Sequence, residues 1–143
     1  MTVKAILQEK GHGVVTVSPE ATLAEAAEIL SGNRIGALVA TYGDGRIAGI
    51  ISERDIVRLI GEGGGAVLGQ PVSSAMTAKV STCTETHTVN EVMEIMTRGR
   101  FRHLPVEKNG RLDGIVSIGD VVRKRIEDVE READEIKNYI ATA

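Results

Sequence analysis

Read for its apolar and polar positions, the chain switches between the two-residue period of strands and the 3.6-residue period of helices, and it does so twice in the same order. In the first half, Val14 to Val17 is a short β-rich run that Ser18-Pro19 ends. Thr22 caps a helix with Leu23, Ala26, Ala27 and Leu30 on its apolar face, and Gly32-Asn33 stops it. Ala37 to Thr41 reads as a strand, Asp44-Gly45 as a hairpin turn and Arg46 to Ile51 as the returning strand. A second helix follows, with Ile56, Val57 and Ile60 facing inward. The order is β-α-β-β-α. The second half repeats it: Val80 to Cys83, a helix over Thr88 to Thr97, a hairpin of Leu104 to Glu107 and Arg111 to Ser117, and a long helix from about Asp120.

The residues repeat as well as the pattern. Thr22-Leu23-Ala24-Glu25-Ala26 matches Thr88-Val89-Asn90-Glu91-Val92 at an offset of 66, as Arg34 matches Arg100 and Leu38 matches Leu104. Asp44-Gly45-Arg46 matches Asn109-Gly110-Arg111 at 65, so one residue is lost in the loop before. The unit, about half the chain, is too long for a solenoid array and too short for a comfortable independent domain. Gly61 to Gly65 reads as a flexible loop between copies. A short segment precedes each copy, Val3 to Leu7 and Val72 to Met76, and both read as short helices hooking one half onto the other. The expected organisation is a first repeat with its hook over residues 1–62, a glycine-rich linker over 63–71, a second repeat over 72–125 and a helical extension over 126–143.

One stretch carries candidate chemistry. Gly49-Ile50-Ile51-Ser52-Glu53-Arg54-Asp55 recurs as Gly114-Ile115-Val116-Ser117-Ile118-Gly119-Asp120. Each copy runs from a strand into a helix, with a hydroxyl and a carboxylate three residues apart at the junction. Free backbone N–H groups are expected at such a helix start. A carboxylate there cannot hold a phosphate, but it can accept hydrogen bonds from a ribose diol. Ser-x-x-Asp is also a plain capping box, like Thr22-x-x-Glu25 and Thr88-x-x-Glu91, and the two roles are compatible.

Composition narrows the function classes. With 42% apolar residues and almost no aromatics, the core must be built from Val, Ile, Leu and Ala. A net charge of −3 disfavours nucleic acid as a partner. Cys83 is the single cysteine, so an intramolecular disulfide or a cysteine zinc cluster is excluded, and three scattered histidines supply no metal spacing. No apolar run reaches the length of about 18 residues that a membrane helix needs, and Met1-Thr2-Val3-Lys4 lacks a signal-peptide core, so the expected location is the cytoplasm. No nucleophile elbow, P-loop or G-x-G-x-x-G is present, and catalysis is not expected.

The doubled G-h-h-S-x-x-D, with Arg102-His103-Leu104-Pro105-Val106 and Ala75-Met76-Thr77, resembles a tandem cystathionine-β-synthase (CBS) domain pair from Val3 to about Val122. The resemblance implies an α/β (α+β) fold, two β-α-β-β-α repeats about a pseudo-twofold axis with a cleft on each side and, here, a long C-terminal helix. It implies clefts that bind AMP, ADP, ATP, NAD(H) or S-adenosylmethionine, in a sensor rather than an enzyme, with no required cofactor. Carried over by residue, Ser52 and Asp55 would hold ribose in one cleft, Ser117 and Asp120 in the other. Thr16 and Thr82 would contact base or ribose, while Gly36 and Ala37, and Arg102, His103, Leu104 and Pro105, would line the adenine slots. The copies differ: Glu53-Arg54 stands where the second has Ile118-Gly119, and Gly36-Ala37 where it has Arg102-His103. Equal occupancy is therefore not expected.

Arg34, Arg54, Arg100 and Arg102 are candidates for phosphate, because a guanidinium grips it bidentately, or are solvated surface residues. His103 either meets a base or is a structural histidine, and His12 and His87 read as surface loop residues. A structural adaptor with empty clefts is the competing reading. After Asp120, Val122, Ile126, Val129, Ala133, Ile136 and Ile140 follow spacings of 4, 3, 4, 3 and 4, a heptad seam. Such a seam suits packing against one partner helix, or else folds back to cover the core edge of its own domain; with the family's habit of pairing, it leads to the expectation of a homodimer read by an unknown effector protein.

Overall fold

The computed structural model describes residues 1–142. Its elements are α1 (Val3–Lys10), β1 (Thr16–Val17), α2 (Leu23–Asn33), β2 (Ala37–Thr41), β3 (Ile47–Ser52), α3 (Glu53–Gly63), α4 (Val89–Gly99), β4 (His103–Lys108), β5 (Arg111–Ser117) and α5 (Ile118–Thr142). Two short 3₁₀ turns, Gly65–Gly69 and Val72–Ser74, lie between α3 and α4. The mixed α/β architecture with a long C-terminal helix agrees with the sequence reading.

The chain divides into two compact units. One holds the first repeat, Gly13–Ser81, with the tip of the second hairpin, Glu107–Asp113. Its sheet has the order β1-β2-β3, with β1 parallel and β3 antiparallel to β2. The central strand β2 is apolar at four successive positions and buried at all of them, as a strand covered on both faces should be. Leu23, Ala26 and Leu30 of α2 pack on Leu38, Ala40 and Ile51. Val72 joins this core, tied by its N–H to the Ala21 carbonyl at 2.7 Å, while Ile50 and Thr77 exchange two backbone hydrogen bonds.

The other unit holds Met1–His12, Thr82–Val106 and Gly114–Ala143. Val3, Ile6 and Leu7 of α1 pack with Val89, Val92 and Met96 of α4 and with Leu104, Val106, Val116 and Val121. The Val3 and Lys4 N–H groups donate to the His87 and Glu85 carbonyls. Each lead-in segment thus lies in the compact unit of the other repeat.

The motif glycines permit this. A Cβ on Gly49 would stand 2.7 Å from the Met76 sulfur and 2.8 Å from the Thr77 carbonyl oxygen, and one on Gly114 would stand 2.8 Å from Leu7 Cδ2. Both positions let a neighbouring segment approach the strand closely.

Four local expectations need correction. Val57 and Ile60 are exposed; Ile56 is the buried residue of α3 and Leu59, one turn on, packs beside it. Helix α3 continues through Gly61 to Gly63 and ends at Gly64, whose φ of +74° with an extended ψ is a conformation that favours glycine. The first strand of the second repeat shrinks to one bridge, Cys83 with Val106. His87 is no plain surface residue, because its Nδ1 accepts the Thr84 N–H at 2.9 Å.

Burial pushes the Cys83 thiol up to about 12. Since the thiolate is the nucleophile, iodoacetamide at pH 8 should leave Cys83 unlabelled in the native protein and label it in urea, read by intact mass. Rapid native labelling would show that this edge opens freely.

Candidate functional site

Both Ser-x-x-Asp copies form the junction expected of them. Ser52 ends β3 and caps α3: its hydroxyl oxygen accepts the Asp55 N–H at 3.3 Å, and Asp55 Oδ2 accepts the Ser52 N–H at 2.9 Å and its hydroxyl at 3.0 Å. Ser117 and Asp120 repeat the reciprocal pair at 2.9 and 3.1 Å. The Glu53 N–H donates to the Gly36 carbonyl and, at the matching place, the Ile118 N–H donates to the Arg102 carbonyl. Most N–H groups of these helix starts are therefore engaged inside the chain, rather than free as the motif alone suggests.

In the first-repeat unit the fold brings Gly36, Ala37, Ser52 and Asp55 together, since Ala37 pairs with Ser52 across β2 and β3. Thr16 is exposed on β1, opposite Val39 and thus one strand away. Arg54 is exposed in the first turn of α3. Arg34 is the C-cap of α2 at φ 53° and lines a cavity of about 430 Å³ with Leu30, Gly36, Glu53, Ile56 and Val57. Its volume lies in the range of small-molecule sites. Ser52, Asp55 and Thr16 do not line it.

In the second-repeat unit, Arg102 and His103 lead into β4, whose Leu104 and Pro105 are buried. Cys83 donates its N–H to the Pro105 carbonyl, which places Thr82 beside that strand. Gly119 is exposed in the first turn of α5, and Arg100 caps α4 at φ 56°. Arg34 and Arg100 thus share one backbone role, as left-handed helix caps, beside the phosphate and surface readings the sequence offers. None of Arg34, Arg54, Arg100 and Arg102 has an ion-pair partner among the described residues.

The two carboxylates differ in their company. Among the described residues, Asp55 Oδ1 pairs with Arg58, 3.3 Å away on the same helix and largely exposed, as Asp120 Oδ1 pairs with the exposed Arg123 at 3.8 Å; what differs is the other oxygen. Asp120 Oδ2 is held by Lys10 of α1 at 2.7 Å, and Lys10 Nζ also donates to the Ile115 carbonyl at 2.9 Å. Burial pushes the Asp120 carboxyl up, but the Lys10 hydrogen bond and charge, with the bonds from Ser117, outweigh it and leave it below its ordinary value. A lowered carboxylate contributes stability above the unfolded value of about 3.9 and loses it as pH falls through the folded one, so this pair persists at neutral pH. Lys10, Asp120, Arg123, Lys124, Glu9 and Glu127 enclose a cavity of only about 130 Å³. Lys10 was not legible as a site residue, because its partner stands 110 positions away.

No group of three or more His, Cys, Asp or Glu among the described residues is placed to hold a metal, and no helix there is long and apolar enough to cross a membrane.

The CBS domain family model matches residues 3–62 and 72–127, and the chain belongs to that family. An uncharacterized 17.7 kDa protein of Acidianus ambivalens is 41% identical over 77% of this chain; the match spans 66% of that relative's length. The crystal structure of the CBS-domain containing protein ATU1752 from Agrobacterium tumefaciens is 52% identical, with a TM-score of 0.83 over 87% of this chain and 99% of that one. The CBS domain protein PAE2072 from Pyrobaculum aerophilum, solved in complex with AMP, is 32% identical, with a TM-score of 0.75 over 84% of this chain and 89% of that one.

Proposed function

We propose that this chain is a regulatory module that binds an adenosine nucleotide, AMP before ADP, ATP or NAD(H), with its primary seat at Ser52 and Asp55 of the first repeat. The observation that carries the reading is the Asp55 carboxylate, fixed at a strand-to-helix junction with its Oδ1 met, among the described residues, by an exposed arginine of its own helix and with no cation from another element on it, unlike Asp120. A ribose diol can take up that oxygen. Arg34 and Arg54 lie in the same unit without ionic partners among the described residues and are suited to phosphate. The AMP complex of the Pyrobaculum relative supports the ligand class. The module acts by binding rather than turnover, needs no cofactor, assembles as a homodimer in the cytoplasm and passes its state to an effector protein.

One observation favours the adaptor reading: the capping boxes already satisfy much of the polar chemistry at both junctions. A thermal-shift series with AMP, ADP, ATP, NAD⁺, NADH and S-adenosylmethionine, followed by calorimetry, separates the two. A ligand at 100 times its Kd should add about 2.7 kcal/mol, a rise of several degrees. No shift and no heat with any of the six at millimolar concentration would leave the adaptor.

A further inference from the structure

Helix α5 buries one face within its unit and leaves an apolar seam largely uncovered. Val121, Lys124 and Asp128 are buried against the unit. Val122, Ile126, Val129, Ala133, Ile136 and Ile140 run along an adjoining face at alternating steps of four and three, and only its first residue, Val122, lines a small cavity with Met93, Met96 and Thr97 of α4. Ile126, Ile136 and Ile140 are 53%, 61% and 69% exposed, and every residue from 129 to 142 is exposed. A bare helical segment of that length is marginal in water, so this seam calls for cover.

The flanking charges say what covers it. With Ile126, Ala133 and Ile140 at the a positions and Val122, Val129 and Ile136 at d, the g positions are Arg125, Glu132 and Tyr139, and the e positions are Arg123, Glu130 and Lys137. In a parallel, in-register pair each g residue faces the e residue five positions on in the other helix. Arg125 then meets Glu130 of the second copy and Glu132 meets Lys137 of the second copy, each twice by symmetry. In the antiparallel alignment that stacks the same layers, Glu130 faces Glu130, Glu132 faces Glu132 and Arg123 faces Lys137. Every charge contact there is repulsive. Arg125, Glu130, Glu132 and Lys137 have no ionic partner of their own among the described residues.

We propose that α5 pairs with α5 of a second copy of this chain as a parallel, in-register two-stranded coiled coil. This deepens the homodimer of the proposed function and is independent of its ligand. The seam spans under three heptads, so the association is expected to be concentration-dependent and salt-sensitive.

The test uses the full chain in sedimentation equilibrium. Arg125→Glu replaces two attractive contacts by two repulsive ones and should weaken the dimer about tenfold; Arg125→Glu/Glu130→Arg should restore it. In the antiparallel alignment residue 125 faces Tyr139, and Arg125→Glu would change little. Ala133→Cys, at a position facing itself only in the parallel register, should give a covalent dimer under mild oxidation, with the buried Cys83 silent. Circular dichroism and melting confirm that each variant folds. A dimer indifferent to Arg125→Glu, or one that leaves Ala133→Cys uncrosslinked, overturns the coiled coil while keeping the dimer. A monomer at all concentrations, or a trimer or tetramer, overturns it outright.

Discussion

Asp55→Ala is expected to weaken AMP binding about ten- to a hundredfold, whereas Asp120→Ala leaves the titration of the tighter site nearly unchanged. The first figure follows from losing a charge-assisted acceptor, which costs roughly 1.5–3 kcal/mol. The second follows from Lys10. A ribose arriving at Asp120 must compete with an ammonium at 2.7 Å that is itself anchored on the Ile115 carbonyl. Lys10→Met should therefore release a second, weaker binding event in calorimetry, and Lys10→Met/Asp120→Ala should remove it again. Asp55→Asn keeps the size of the side chain and reports the charge alone. Circular dichroism on each variant separates lost binding from the lost cap, which costs about 1 kcal/mol. Equal losses from Asp55→Ala and Asp120→Ala would mean that Lys10 does not guard the second copy.

Leu7→Ala is expected to be the most damaging single truncation in the first helix, destabilising by about 2–5 kcal/mol and lowering Tm by roughly 10 °C. Leu7 is 1% exposed and belongs to the core of the second-repeat unit. Its Cδ atoms occupy the space beside Gly114, so the truncation leaves a gap that a glycine cannot close. Gly114→Ala probes the same contact from the other side, by overpacking, and should cost about 1–3 kcal/mol. Denaturant melts read both. A Leu7→Ala variant as stable as the parent would show that α1 is an ornament rather than part of the core.

Local signals in the chain were enough to place most elements. The four S/T-x-x-D/E sequences that precede a helical pattern form reciprocal caps, at Thr22, Ser52, Thr88 and Ser117, because a capping box depends on residues three apart at a helix start. The hairpins followed from Asp44-Gly45 and Asn109-Gly110, where Gly45 and Gly110 take positive φ. What the sequence hid depends on distant partners. Nothing local to Lys10 announces Asp120, and nothing local to Gly49 announces Met76 and Thr77. The left-handed caps at Arg34 and Arg100 escaped notice because that conformation is ordinarily glycine's. Val57 and Ile60 face outward against the sequence expectation because a residue's burial depends on which way the helix is rolled, and apolar character alone does not fix the roll.

The exchange of lead-in segments makes the duplication indivisible. Severing the chain within residues 63–71 would leave α1 on a fragment whose own compact unit does not use it, and Val72 on the fragment that lacks the core it fills. Neither half is a transferable part. A lineage could not shed one copy, or lend one to another protein, without stranding three buried side chains, Val3, Ile6 and Leu7, or opening a hole where Val72 had been. The two copies must therefore fold as one, while their site chemistry is free to differ: Asp120 is held by a lysine from α1, and Asp55 by partners from its own junction and helix.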